Sequence, residues 1–520
     1  NDCDGRYLNG TRMIYTSQHQ QLSLDLFESS LEGLNQTNRW VILAHTLPWA
    51  ELERVYNSHL CNMGKGAENK PARMVIGALI IKHKLSLSDE ETVTMIQENP
   101  YMQYLCGLSE FTDRPIFDPS LFVYIRKRIS IEDINEMTTR VLEKERRLKE
   151  EARLRKEQEA KNKGEVVPPP PATDPDAAGF VDSEGRMHKG VLKIDATCSD
   201  AEVRYPVDVD IIHDGCMVVD RYINKICRIA KIKAPRTCYK DAHRVYLKLI
   251  KKKKKGGKLA KETISKMLAY LSKDLRLISF LFAQNSEYRE LLSKYEKRTL
   301  SATFTMYEQQ AMMSSLGINK CADRIISIFQ PHLRPIVRGK AKSKTEFGSK
   351  DGASIYEGYT FVDHLSWDAY NECTDLPLQI NLFKERFGHL PATILADKIY
   401  MNKENRKLLE ELGIRTYCKP LGRPPKEEKS PEEKAKMAKA VGDRNEVESS
   451  FGTAKRVYRA NNIRAKLPDT ADCWTGMCYF VKNVMKFLRE LCHVLTEICQ
   501  ILLSWVKFYS PSSLGAWQAA

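Results

Sequence analysis

Two short apolar runs in this chain each end in an aspartate: Val191-Leu-Lys-Ile leads to Asp195, and Ile394-Leu-Ala leads to Asp397. In open sheets with parallel strands, reaction sites lie just beyond the carboxyl ends of the strands. If the two runs are parallel neighbours, both carboxylates emerge at one edge and repel unless a cation stands between them. Mg²⁺ suits such a place, because it takes carboxylate oxygens and waters and leaves positions for phosphate. Two such ions ~4 Å apart can stabilise both the attacking and the leaving oxygen of an in-line displacement at phosphorus. Either aspartate alone reads equally well as a strand-end or helix N-cap residue. A third acid comes from a helical stretch, where Arg444, Glu448, Phe451 and Lys455 fall on one face at i, i+4, i+7 and i+11. Glu446 points about 200° away from Glu448. Glu448 can thus face the metal edge, with Arg444 and Lys455 facing phosphate; taken alone, the spacing also describes a solvated surface Arg–Glu pair.

These residues need elements to hold them. Gly190 to Asp195 and Thr393 to Asp397 read as buried strands, Arg334 to Tyr370 has strand character, and Ile414 to Cys418 is a short strand. Helices are expected over 378–387, 403–412 and 444–459, with a charged, Pro-containing segment at 420–440. A basic helical block runs from about 213 to 330. Strands that alternate with helices make an α/β pattern with parallel pairing for the later strands. Upstream, Trp40, Leu43 and Leu47, then Met74, Ile76, Leu79 and Ile80, recur at helix spacing, and Pro71, Pro100, Pro115 and Pro119 cut the run into short helices. Residues 141–163 hold nine Lys/Arg and six Glu, a solvated charge-paired helix, and the four prolines at 168–171 form an extended linker.

Composition narrows the classes. The 520 residues carry a net charge of +15, which permits a polyanion partner without proving one. Cys473 to Tyr509 is the most apolar part, yet Lys482, Lys486, Arg489, Glu490 and Glu497 interrupt it, so it reads as an amphipathic helix for packing or self-association and not as a membrane span. No basic-then-apolar leader is present, and Met13 is a candidate start for a chain that begins at Asn1. The 14 cysteines include no Cys-x-x-Cys and no zinc spacing, which fits reduced thiols in a cytosol.

The stretch Arg444-Asn-Glu-Val-Glu448-Ser-Ser-Phe-Gly-Thr-Ala-Lys455 resembles the signature of DDE transposases of bacterial insertion sequences: Arg, three residues, Glu, six residues, Lys. The family often has a Tyr three residues before the Arg, where this chain has Val441. Lys193-Ile-Asp195-Ala-Thr197, Val203-Arg-Tyr-Pro-Val-Asp208, Arg334-Pro-Ile-Val-Arg-Gly-Lys340 and Leu395-Ala-Asp397-Lys-Ile-Tyr400 fit the same branch, and the helical block 38–130 looks like its N-terminal domain. The resemblance implies an α/β RNase H-like catalytic core with a helical insertion, an all-α N-terminal domain and a C-terminal helical tail. It implies that Asp195, Asp397 and Glu448 bind two Mg²⁺ ions, with Mn²⁺ able to substitute. The expected divisions are a flexible segment at 1–37, a helical DNA-binding domain at 38–140 and a linker at 141–185. The core follows at 186–212 and 331–466, with the insertion at 213–330 and the tail at 467–520.

The implied chemistry is metal-dependent cleavage at the ends of an insertion sequence, followed by attack of the freed 3′-OH on target DNA. Partners are then double-stranded DNA, as terminal inverted repeats and target, and a second copy of the chain on paired ends, in the bacterial cytoplasm at the nucleoid and with no membrane. Arg444 and Lys455 are expected at the phosphates, as are Arg334, Arg338 and Lys340 in a segment (331–350) of net charge +5. Gly422-Arg423-Pro424-Pro425-Lys426 resembles a minor-groove hook through Arg423, though a plain Pro-rich loop reads as well. Two alternatives stay open: an RNase H-like nuclease without strand transfer, and a non-catalytic DNA-binding derivative.

Overall fold

Asn38 accepts from the Trp40 amide at 2.9 Å and opens α1 (Arg39–Thr46). This is seen in a computed structural model that describes residues 31, 33–58, 60, 69–163, 179–253, 257–337, 345–418 and 430–508. Prolines then start α2 (Trp49–Asn57), α3 (Ala72–Leu85) and α5 (Pro100–Leu105), because a residue without an N–H is tolerated at a helix start. A Ser88–Glu91 capping box starts α4 (Asp89–Glu98), and α6 covers Leu121–Arg128. Helix α3 is apolar nearly all round and lies at the centre of this group, with Val75, Ile76, Leu79, Ile80 and Ile81 at most 1% exposed. Its Lys82 is buried but paired, with the ammonium 2.9 Å from Asp89, and Arg126 grips the same carboxylate through two bonds at 2.9 and 2.8 Å.

Helix α7 (Ile131–Lys163) starts inside the N-terminal group and runs on without a break through position 140. Its first half buries Ile134, Met137, Val141 and Leu142; beyond Glu150 its side chains are mostly solvated.

A curled mixed sheet follows. Its strands are β1 (Val191–Asp200), β2 (Thr345–Tyr356), β3 (Tyr359–Ser366), β4 (Thr393–Leu395) and β5 (Arg415–Thr416), in spatial order β3-β2-β1-β4-β5. β2 is antiparallel to both β1 and β3, whereas β4 is parallel to β1 and β5 is parallel to β4. Glu357 and Gly358 join β2 to β3 with φ values of 50° and 77°, the paired positive angles of a tight hairpin. Pro335–Val337 adds a short antiparallel strand to the start of β2. At Gly348 the strands are so close that a Cβ would lie 1.8 Å from the Ser199 carbonyl oxygen.

Four helices separate β1 from β2: α8 (Asp208–Ile229), α9 (Tyr239–Ile250), α10 (Gly257–Gln284) and α11 (Lys294–Leu316). They bury a core of their own around Ile212, Cys216, Val219, Leu271, Ile278 and Met306. On one face of the sheet lie α12 (Leu376–Phe387) and α13 (Lys403–Glu411), with the Tyr356 ring 4.8 Å from Phe383. The other face is covered by α14 (Pro431–Val457) and α15 (Pro468–Phe508). Helix α14 begins within the expected 420–440 loop, where Ala435-Lys-Met-Ala are good helix formers.

Helix α15 is a spine. Cys473, Met477, Cys478, Phe480, Val484 and Phe487 are at most 1% exposed, and its Trp474 lies 5.1 Å from the Lys82 ammonium and 5.8 Å from Arg126. The side chains of Val494, Ile498 and Leu502, further along the expected stripe, lie outside the described ones. Among the described residues, no helix is long and apolar enough to cross a membrane.

Candidate functional site

The parallel register of β1 and β4 sets Lys193 opposite Leu395, so two residues further on the chain delivers Asp195 and Asp397 side by side. Asp397 leaves the strand at the cap of a 3₁₀ turn and accepts from the Lys398 amide at 2.7 Å. Asp195 stays within β1, its side chain 17% exposed, and accepts from the Ala196 amide at 2.8 Å. Burial raises its pKa to about 6; the charges of Glu372 and Asp397 push the same way and Arg444 pulls against them. Carboxylates collected at a strand end in this way make a place that favours a cation.

Helix α14 brings the third acid. Its Val447, Phe451 and Ala454 are buried against the rest of the molecule, which fixes the rotation of the helix. Arg444 and Glu448 flank that apolar face. One guanidinium joins the strand to the helix: Arg444 Nη1 lies 3.7 Å from Asp195 Oδ2, and Nη2 donates to Glu448 Oε1 at 3.2 Å. The Glu448 side chain is 59% exposed and open to an incoming partner. Glu446 turns another way and pairs with Lys193, two residues before Asp195.

The remaining candidate residues are placed differently. Lys455 is half-buried, and its charge works against the burial that raises the pKa of Asp351 and Cys198. Arg334 donates to the Pro331 and Leu333 carbonyls at 2.6 and 3.0 Å, which ties it to its own loop. Arg338, Lys340 and Arg423 lie outside the described residues.

Two residues join the site with no signal in the spacing. Glu372, on a 3₁₀ turn before α12, is paired with Lys350 at 3.1 Å and acts on Asp195 through its charge. Tyr400, three residues after Asp397, is fully buried, its hydroxyl has no hydrogen-bond partner among the described residues, and it lies within the influence of Glu372 and Asp195. An acid in an aperiodic loop has no pattern to mark it. The tyrosine stands in the quoted Asp397-Lys-Ile-Tyr400 stretch, but only the fold turns it inward.

The donor chemistry fits a hard divalent ion, because Asp195, Asp397 and Glu448 offer carboxylate oxygens only. Among the described residues, no three His, Cys, Asp or Glu side chains stand close enough together to hold one ion. The Arg444 guanidinium stands between Asp195 and Glu448 instead.

Comparisons with known proteins bear on both halves of the molecule. Residues 29–128 match the family described as a transposase domain (DUF772), and residues 394–485 match the transposase DDE domain family. The second match opens on β4 and takes in Asp397, Arg444 and Glu448. Over 114 residues the chain is 33% identical to "Uncharacterized protein ORF8 in nfe locus" of Rhizobium meliloti, which covers 22% of this chain and 54% of that protein. The chain thus spans about half the length of this curated relative. No solved structure matches.

Proposed function

From the premise that this chain carries both a transposase domain and a transposase DDE domain, and so stands with the DDE transposases of insertion sequences, we propose that it binds the ends of such an element, cuts DNA there and joins the freed 3′-OH to target DNA. The observation that carries the reading is the Arg444 bridge between Asp195 and Glu448, with Asp397 carried just beyond the strand that runs parallel to β1. Support for an RNase H-like core comes from the strand order β3-β2-β1-β4-β5, antiparallel on one side of β1 and parallel on the other.

Asp195, Asp397 and Glu448 would hold the divalent ions, which supply Lewis-acid activation of the attacking oxygen and of the scissile phosphate. The chain's own contribution is positioning. β1 and β4 hold two carboxylates in fixed register, and α14 presents the third on an exposed turn. Arg444, once released from the acids, offers a forked donor to the nonbridging oxygens on which charge builds. Asp195 is kept from bulk water, which strengthens every charge interaction around it. The helical group before α7 is the reader of element ends, and two copies act together because two ends must be joined.

Asp195→Asn, Asp397→Asn and Glu448→Gln should each lower Mg²⁺- or Mn²⁺-dependent cleavage of element-end DNA by at least ~10²–10³-fold while duplex binding stays within a few-fold of the unchanged chain. Full cleavage by any one of the three defeats the assignment. Pre-cut ends separate transposition from simple hydrolysis, since a nuclease cuts but gives no joined product.

A further inference from the structure

The helical insertion between β1 and β2 carries the whole charge excess of this chain. Residues 213–330 hold 25 Lys/Arg and 10 Asp/Glu, a net +15 equal to that of all 520 residues, so the rest of the chain balances to zero. Within the insertion, residues 221–253 hold twelve Lys/Arg and one acid, Asp241. Charge of one sign gathered on one unit builds a field that attracts a polyanion.

Helix α9 puts these cations in a row. Its inner face packs Ala242, Val245, Tyr246 and Leu249 on the core of the insertion. Its outer face presents Lys240, Arg244 and Lys248 at i, i+4 and i+8, and Lys251 at the helix end continues the row; all four are exposed. Arg244 is paired with Asp241 at 3.2 Å. Among the described residues, no carboxylate lies within ion-pair distance of Lys240, Lys248 or Lys251. The link before α9 adds Lys231, Lys233 and Arg236, exposed as well.

The row also leads back toward the sheet. Tyr246 Oη donates to Asp210 at 2.9 Å, and His243 stands 2.9 Å from His213, so the C-terminal end of α9 lies beside the first turns of α8. Helix α8 begins eight residues after β1 ends, and β1 runs on from Asp195 to that end. The lysine-rich end of α9 is therefore at the base of the insertion, on the carboxyl-end side of β1.

We propose that the outer face of α9 is a track for the backbone of duplex DNA, held by charge and without reading bases. From Lys240 to Lys251 the row spans about 16 Å of helix, a length in which one DNA strand passes about five phosphates. Lysine suits such a track, because its ammonium is a point charge on a flexible stem and lacks the rigid fork of arginine. Contacts to phosphate position a duplex but carry no sequence information. The track is separate from the three acids and from the helical group before α7. The assignment rests on DNA being the substrate.

Fluorescence anisotropy on the full chain tests it, with two labelled duplexes of equal length and unrelated sequence between about 50 and 200 mM NaCl. Lys240→Gln/Lys248→Gln/Lys251→Gln keeps good helix formers at exposed positions. The slope of log affinity on log salt should become shallower by about 2.7, so that the affinity lost across that range is about 40-fold smaller than in the unchanged chain, alike for both duplexes. Lys189→Gln/Lys384→Gln/Lys407→Gln removes three exposed lysines, one before β1, one near the end of α12 and one on α13, and should leave the slope as it was. An unaltered slope in the α9 variant, an equal change in the second variant, or a change confined to one duplex overturns the assignment. If that happens while the unchanged chain still binds and cuts element ends, the α9 track alone falls; a chain that binds no duplex of either sequence overturns both.

Discussion

Asp351 shows what a buried acid costs this molecule. It is fully buried on β2, bonded by the Ser199 hydroxyl and by the Ser349 hydroxyl at 2.6 Å, and burial raises its pKa from 3.8 to about 6. A carboxyl with a raised folded pKa holds its proton more tightly in the folded chain. Its contribution to stability therefore falls as pH rises from about 4 to about 6, and the loss persists above that window. Asp351→Asn keeps a polar amide among the serines and removes the ionisation. Its unfolding free energy relative to the unchanged chain should rise across the same window by up to ~3 kcal/mol, the equivalent of about two pKa units. Urea titrations at pH 4 and pH 7 measure this; a difference that stays constant with pH would show that Asp351 is ionised without penalty.

At the scale of elements, the edge of the sheet is closed by helices. Strand β3 pairs with β2 on one side. On the other, Asn135 of α7 donates to the Val362 carbonyl at 2.7 Å and accepts from its amide at 3.1 Å. Asn483 of α15 does the same for Thr360, at 2.7 and 3.0 Å. Two side-chain amides thus take the place of a neighbouring strand, which protects an edge otherwise open to pairing. Asn483→Leu leaves a buried N–H and a buried carbonyl unpaired and should cost ~2–5 kcal/mol, read as a fall in denaturation midpoint. On α14, Phe451→Ala should cost ~3–5 kcal/mol. Because Phe451 sets the rotation of the helix that carries Arg444 and Glu448, cleavage should fall further than duplex binding, and an equal fall in both would argue against that positioning role.

At the scale of the whole molecule, one apolar core runs from the N-terminal helices through α15 into the sheet, while α8 to α11 enclose another. The stacking of Lys82 and Arg126 on Trp474 ties the residues that match a transposase domain to the spine of the half that carries the sheet. A shared core opens as a unit. Native-state hydrogen exchange should therefore give α3 and β1 the same opening free energy, and the helices of the second core a different one. A lower, separate value for α3 would mean that the N-terminal group unfolds alone.

The acids at two strand ends and the Arg444–Glu448–Lys455 spacing were legible from residue types alone, because strands and helices have fixed periods and a strand-end aspartate stands out against an apolar run. Which faces meet was not legible. Spacing puts Arg444 and Lys455 on one stripe, yet the packing of Val447 and Ala454 sends the Arg444 guanidinium to Asp195 and leaves Lys455 half-buried. Arg334 looks like any basic residue in a basic segment until its own loop carbonyls are seen to hold it. Glu372, Tyr400 and the paired asparagines depend on contacts between residues tens to hundreds of positions apart. Local periodicity reports which way a side chain faces relative to its own element, and only the packing of elements decides what it faces.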